Sequence, residues 1–146
     1  LKTNDDYAFI LEDDIYFKDH NIIKGKIDYI INTCPSDSDI IFVSYCLEKC
    51  KYIDKMKLFS KGVGPLCRHA YIVSRKCAKT ILKETWPMSK FKGPGGDNSY
   101  VNLIKNNRIQ SYTVNNDFIT IEQNRTKLGS KLGGYDTGTP PPRCRD

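Results

Sequence analysis

The sequence predicts an α/β fold, and three observations lead there. Short apolar runs of strand length alternate with longer stretches whose apolar residues recur at helical spacing. The first run, Tyr7-Ala8-Phe9-Ile10-Leu11, holds aromatic and β-branched residues and is too short for a helix, so it reads as a buried strand. It ends abruptly in three carboxylates, Glu12-Asp13-Asp14. Acids placed where a parallel strand leaves its sheet stand at the carboxyl edge, where open α/β sheets bind ligands.

In extended chain Glu12 and Asp14 share a side while Asp13 points away, because side chains alternate with period two. Two hard oxygen donors on one side suit Mg²⁺ or Mn²⁺, whose shell can be shared with phosphate groups. The same triplet also suits a solvated acidic turn that caps the next helix. Asp19 or Asn21 can cap a helix over 22–34, with Ile23, Ile27, Ile30, Ile31 and Cys34 on one face. The run Cys34-Pro35-Ser36-Asp37-Ser38-Asp39 is turn chemistry, and 40–43 is a second buried strand. Residues 46–59 keep no clean period and read as a long surface loop with room for a short hairpin.

The strand 69–73 leads into Ser74, the N-cap of a helix through Lys83 with Ala78, Ile81 and Leu82 inward; Trp86-Pro87 ends it. Lys92-Gly93-Pro94-Gly95-Gly96 reads as a flexible connection. Asp97 then opens a helix over 98–107, with Val101, Leu103 and Ile104 apolar, and 111–114 is a further strand. Residues 1–128 form one domain. Residues 129–146 are a Gly/Pro-rich tail expected to be loosely ordered.

A chain of 146 residues, 39% of them hydrophobic, can bury a real core, which excludes wholesale disorder. Apolar runs stay well short of the ~20 residues a bilayer span needs. The net charge of +6 comes from scattered lysines with no RNP-type motif, zinc finger or leucine heptad, which argues against a nucleic-acid partner. Cys34, Cys46, Cys50, Cys67, Cys77 and Cys144 permit three disulfides, but the spacing lacks a CxxC pair. Most read as reduced thiols, several of them buried, and Cys46 and Cys50 flank a loop that no further Cys or His pair turns into a zinc site. Asn124-Arg125-Thr126 fits a glycosylation sequon if the chain is secreted.

The order of these motifs resembles glycosyltransferase family 25, which includes lipopolysaccharide and procollagen galactosyltransferases. The resemblance rests on a strand ending in Leu11-Glu12-Asp13-Asp14, then Asp37-Ser38-Asp39-Ile40-Ile41-Phe42. It continues through Gly62 and Gly64 ahead of His69-Ala70-Tyr71-Ile72-Val73-Ser74, then Ala78-Lys79-Thr80-Ile81-Leu82, and Asp97. It spans about 5–123. It implies a GT-A-like sheet flanked by helices, a UDP-sugar donor carrying galactose or glucose, Mn²⁺ or Mg²⁺, and transfer with inversion to a glycan or hydroxylysine acceptor.

Carried onto this chain, the resemblance puts Glu12-Asp13-Asp14 in the place of the metal-binding element, with Glu12 and Asp14 as ligands. It makes Asp97 the base that takes the acceptor proton, although Asp before a helix is also an ordinary N-cap. Gly62 and Gly64 let backbone approach the donor sugar, or make a turn. His69 packs beneath the site. A cytoplasmic viral or microbial setting suits the composition, and the secretory pathway stays open.

Only eleven residues precede Glu12, so the half that would grip uracil and ribose is unaccounted for and the sheet should be incomplete on its N-terminal side. That leaves an upstream segment, a partner or a homo-oligomer to complete the pocket, with an open apolar edge near Tyr7–Leu11 inviting self-association or cover by the tail. The alternative is a shortened, non-catalytic remnant that serves as a sugar-binding or assembly module.

Overall fold

A computed structural model describes residues 5–13, 15–17, 20–46, 48, 56–86, 95–115 and 117–123, with the side chains of His20, 95–97, Glu122 and Gln123 left out. In chain order the elements are β1 (Tyr7–Leu11), β2 (Ile15–Phe17), α1 (Ile23–Thr33), β3 (Ile40–Cys46), β4 (Phe59–Lys61), β5 (Leu66–Ser74), α2 (Arg75–Thr85), α3 (Gly95–Lys105), β6 (Ser111–Val114) and β7 (Ile121–Gln123). Five strands form one sheet in the order β1-β5-β3-β6-β4, and β2 pairs with β7 separately. The fold is α/β with a mixed sheet.

β5 runs antiparallel to both β1 and β3, whereas β3 and β6 are parallel. Hence β1, β3 and β6 all point the same way, and Leu11, Cys46 and Val114 end at a common carboxyl edge. This corrects the simple parallel reading of β1, since its direct neighbour is reversed. β1 is also less buried than its composition suggests: it is the terminal strand, with Ile10 39% and Leu11 42% exposed.

The two faces of the sheet carry separate cores. Ile41, Val43, Ala70, Ile72 and Val114 meet Ile27 and Ile30 of α1, with Tyr7 and Phe9 of β1 packed alongside. On the other face Ile40, Phe42 and Val73 meet Cys77 and Ile81 of α2 and Leu103 and Ile104 of α3, with Ala8 and Tyr71 alongside. The helical spacing read from the sequence therefore places the inward residues of α1 correctly. In α2 the buried stripe is centred on Cys77 and Ile81, which turns Leu82 out to solvent at 52% exposure.

Helix ends follow local chemistry. Ser74 caps α2 as expected, its hydroxyl accepting from the Cys77 amide at 3.1 Å. α1 differs: a 3₁₀ turn, His20–Ile22, feeds it, and its N-cap is Ile22 without a side-chain cap bond. Asn21 lies inside that turn, and Asp19 is outside the described residues. α3 closes in a Schellman pattern, with Asn107 at φ 54° and bonds from Asn107 N–H to Ile104 O and Arg108 N–H to Leu103 O. It starts at Gly95, so Asp97 lies in its first turn and not at its cap.

The cysteines depart most from expectation. Cys46 and Cys67, on neighbouring strands with Cα atoms 5.5 Å apart, form a disulfide; Cys34 and Cys77 are free thiols. Cys50, Cys144, Asn124 and the 129–146 tail lie outside the described residues.

Burial pushes the Cys77 thiol up from 9.0 to about 12, with the Asp39 charge adding to the rise. The unfolded thiol starts to lose its proton near pH 9, while the folded one keeps it until about pH 12. Its contribution to stability is therefore full below pH 9 and is lost as pH climbs through that window, at no more than ~1.4 kcal/mol per pH unit. Urea titrations should show a falling midpoint from about pH 9 upward, and Cys77→Ala should flatten that fall. An unchanged slope in the variant would assign it to other groups, Tyr71 first among them.

Candidate functional site

The acid cluster sits where β1 leaves the sheet. The Glu12 amide donates to His69 O at 2.9 Å, which extends the β1–β5 ladder by one bond. Strand alternation puts Glu12 in phase with Ala8 and Ile10, and Ala8 packs on the α2/α3 face. Glu12 thus leaves the sheet on the side of α3, while Asp13 is an exposed turn residue. Asp14, the other ligand expected from the sequence, is outside the described residues.

On that same face Tyr71 of β5 and Tyr100 of α3 bring their hydroxyls to 3.3 Å, with ring centroids 5.9 Å apart and nearly edge-on. The Arg68 guanidinium lies over the Tyr100 ring, 4.3 Å from its centre. Burial raises the Tyr71 pKa, the Tyr100 hydroxyl adds to the rise, and Glu12 contributes through its charge. The Tyr71 hydroxyl therefore stays protonated at neutral pH and can donate a hydrogen bond but not serve as a base. Asp97 lies three residues before Tyr100 in the first turn of α3. The sheet and α3 therefore bring Glu12, Arg68, Tyr71 and Tyr100 together, with the backbone of Asp97 one helical turn away.

Strand irregularity accompanies this arrangement. Register shifts fall between Phe42 and Ser44 and again between Ser44 and Cys46, and Cys67 takes φ 54°. That left-handed conformation costs a non-glycine residue roughly 1–2 kcal/mol. Bulges of this kind redirect side chains, and they are frequent beside functional sites. Here the irregularity directly precedes Arg68, and the disulfide spans it.

His69, Gly62 and Gly64 make close contacts within the protein. His69 Nδ1 is 3.4 Å from the Ser44 hydroxyl, which itself donates to Ile121 O at 3.1 Å. A Cβ on Gly62 would collide with the Ser111 hydroxyl, and one on Gly64 would come within 3.3 Å of Val101 in α3. Both glycines thus allow close approach of protein to protein.

Glu48 has no counterpart in the sequence reading. It is 2% exposed, and its carboxylate accepts from the amides of Val63 and Gly64 at 2.8 and 2.9 Å, tying the turn that carries both glycines. Nothing in Leu47-Glu48-Lys49 distinguishes it from a surface loop acid. Arg68, Tyr71 and Tyr100 carried a fainter signal: polar and aromatic residues on the motif strand, and a tyrosine one turn after Asp97.

Among the described residues no three His, Cys, Asp or Glu side chains gather as a metal site. Glu12 supplies one carboxylate at the carboxyl edge. A hard divalent cation that keeps waters and substrate phosphates in its shell needs only one or two protein carboxylates, so this donor chemistry fits such an ion. No protein-family model matches the chain, and no curated protein matches it either.

Proposed function

We propose that the chain is a divalent-cation-dependent, inverting glycosyltransferase that moves galactose or glucose from a UDP-sugar to a glycan or protein hydroxyl. One observation carries the reading. The acidic end of β1 stands at the carboxyl edge of an α/β sheet, beside Arg68 and a tyrosine pair that links β5 to the first half of α3. In this reading Glu12 and Asp14 hold Mn²⁺ or Mg²⁺, which when bound supplies Lewis-acid stabilisation to the diphosphate leaving group. Asp97 takes the proton from the acceptor hydroxyl. Tyr71 and Tyr100 donate hydrogen bonds into the site, and Arg68 offers positive charge near the departing diphosphate.

Calorimetry tests the metal role. UDP should bind about tenfold more tightly with Mn²⁺ than with EDTA, a coupling of ordinary size. Glu12→Ala or Asp14→Ala should bring the two affinities together. Equal affinity in the wild-type chain would remove the metal from the proposal.

The second reading, a non-catalytic sugar-binding or assembly module, is favoured by one feature: β1 ends the sheet among the described residues, with nothing there pairing its outer edge. Light scattering that finds self-association, together with UDP-sugar turnover absent at every concentration, would select it. No described helix is long and apolar enough to cross a membrane. The Cys46–Cys67 bond favours an oxidising compartment over the cytoplasm as the place of work.

A further inference from the structure

We propose that the Cys46–Cys67 disulfide is a redox-released clamp that keeps Arg68 seated on Tyr100 at the carboxyl edge. Four observations meet at this point. The bond joins β3 to β5 across the stretch where their register slips twice. Cys67 holds a left-handed backbone at φ 54°, which the crosslink helps to maintain and a free cysteine would tend to leave. Arg68 is the next residue, so a change of backbone at Cys67 re-aims the guanidinium that now lies 4.3 Å from the Tyr100 ring centre. Glu48, two residues beyond Cys46, binds the 63–64 turn, which lies just before β5, so the start of β5 is held from both ends.

The chemistry is thiol–disulfide exchange with a dithiol reductant. Cys67 is partly exposed and Cys46 buried, so the incoming thiolate attacks the Cys67 sulfur and Cys46 leaves as a thiolate that takes up a proton. The second thiol of the reductant then resolves the mixed disulfide. Two protein thiols and one oxidised reductant result. Loss of the crosslink lets Cys67 relax, and Arg68 swings off the ring. That the site so controlled binds a nucleoside diphosphate rests on the function proposed above.

The test uses the 146-residue chain with and without dithiothreitol, read by two independent signals. The side-chain protons next to the Arg68 guanidinium lie over an aromatic face, so the oxidised protein should show them shifted upfield by the Tyr100 ring current. Reduction should abolish that shift while the strand amides of β1 and β6 stay in place. A Cys46→Ser, Cys67→Ser double variant should match the reduced spectrum without reductant. Affinity for UDP with Mn²⁺ should fall by about tenfold on reduction. Loss of the ring-current shift with no UDP binding in either state would uphold the clamp and defeat the transferase reading. An Arg68 signal unchanged by complete reduction would overturn the clamp, whatever UDP does.

Discussion

On the proposed transferase reading, replacing Asp97 by Asn should lower turnover of a UDP-sugar by about 10²–10⁴-fold, the usual contribution of a positioned general base. Asn is isosteric and keeps a hydrogen-bonding oxygen, but it cannot accept the acceptor's proton. Its effect on the fold should be small. Asp97 stands in the first turn of α3 and not at the cap, and a charge at such a position interacts with the helix dipole by roughly 0.3–1 kcal/mol. KM for the donor should hold nearly steady, because in that reading the base acts on the acceptor. Thermal melts beside steady-state assays would separate the two roles. A variant that melts much earlier yet turns over at the wild-type rate per folded molecule would make Asp97 a structural residue of α3.

The position of Asp97 illustrates what the sequence did and did not disclose. Elements with a strong local signal were legible: the 3.6-residue spacing of Ile23, Ile27, Ile30 and Ile31, the Ser74 cap, and the run 111–114 all match the observed structure. Short strands were not. β2, β4 and β7 have three residues each, too few for alternation to register, and they exist because partners across the sheet supply the missing bonds. α3 starts earlier than its apolar spacing predicts: Gly95 and Gly96 are poor helix formers, and the rest of the helix packs on β5 regardless.

Relationships between distant residues were hidden for a related reason. That Cys46 faces Cys67 follows only once β3 and β5 are known to be neighbours with bulges between them, and sequence spacing contains neither fact. Glu48 is the same case: a carboxylate buried beneath a turn fifteen residues downstream looks in sequence like any loop acid. At the candidate site, the place of Glu12 and Asp13 at the end of β1 was legible from residue order alone. The Arg68–Tyr100–Tyr71 contact was not, because it depends on how α3 crosses β5.

Gly62→Ala should destabilise the fold by roughly 1–3 kcal/mol, the cost of overpacking a filled site. Gly62 is a buried residue of the connection from β4 to β5, with its amide donating to Ser111 O at 2.8 Å and its carbonyl accepting from the Ser111 hydroxyl at 2.8 Å. A new methyl group would overlap that hydroxyl and press on Ser111 Cβ at 3.1 Å. The hydroxyl cannot turn aside without giving up its bond to Gly62, and Ser111 is 1% exposed, so nothing nearby yields cheaply. For a chain of this size each kcal/mol lowers the melting temperature by about 2–8 °C.

Ser111→Ala removes the colliding oxygen, so Gly62→Ala should cost less in that background, by roughly 1 kcal/mol, within the range seen for contacting pairs. The rescue should be partial, since the Cβ contact remains. If the proposed donor binds, its affinity for the folded Gly62→Ala protein should equal that for the wild type, because the space a Cβ would take at Gly62 is filled by Ser111 of β6. If instead the melting temperature holds and KM for the UDP-sugar rises, Gly62 serves the sugar and the packing assignment fails.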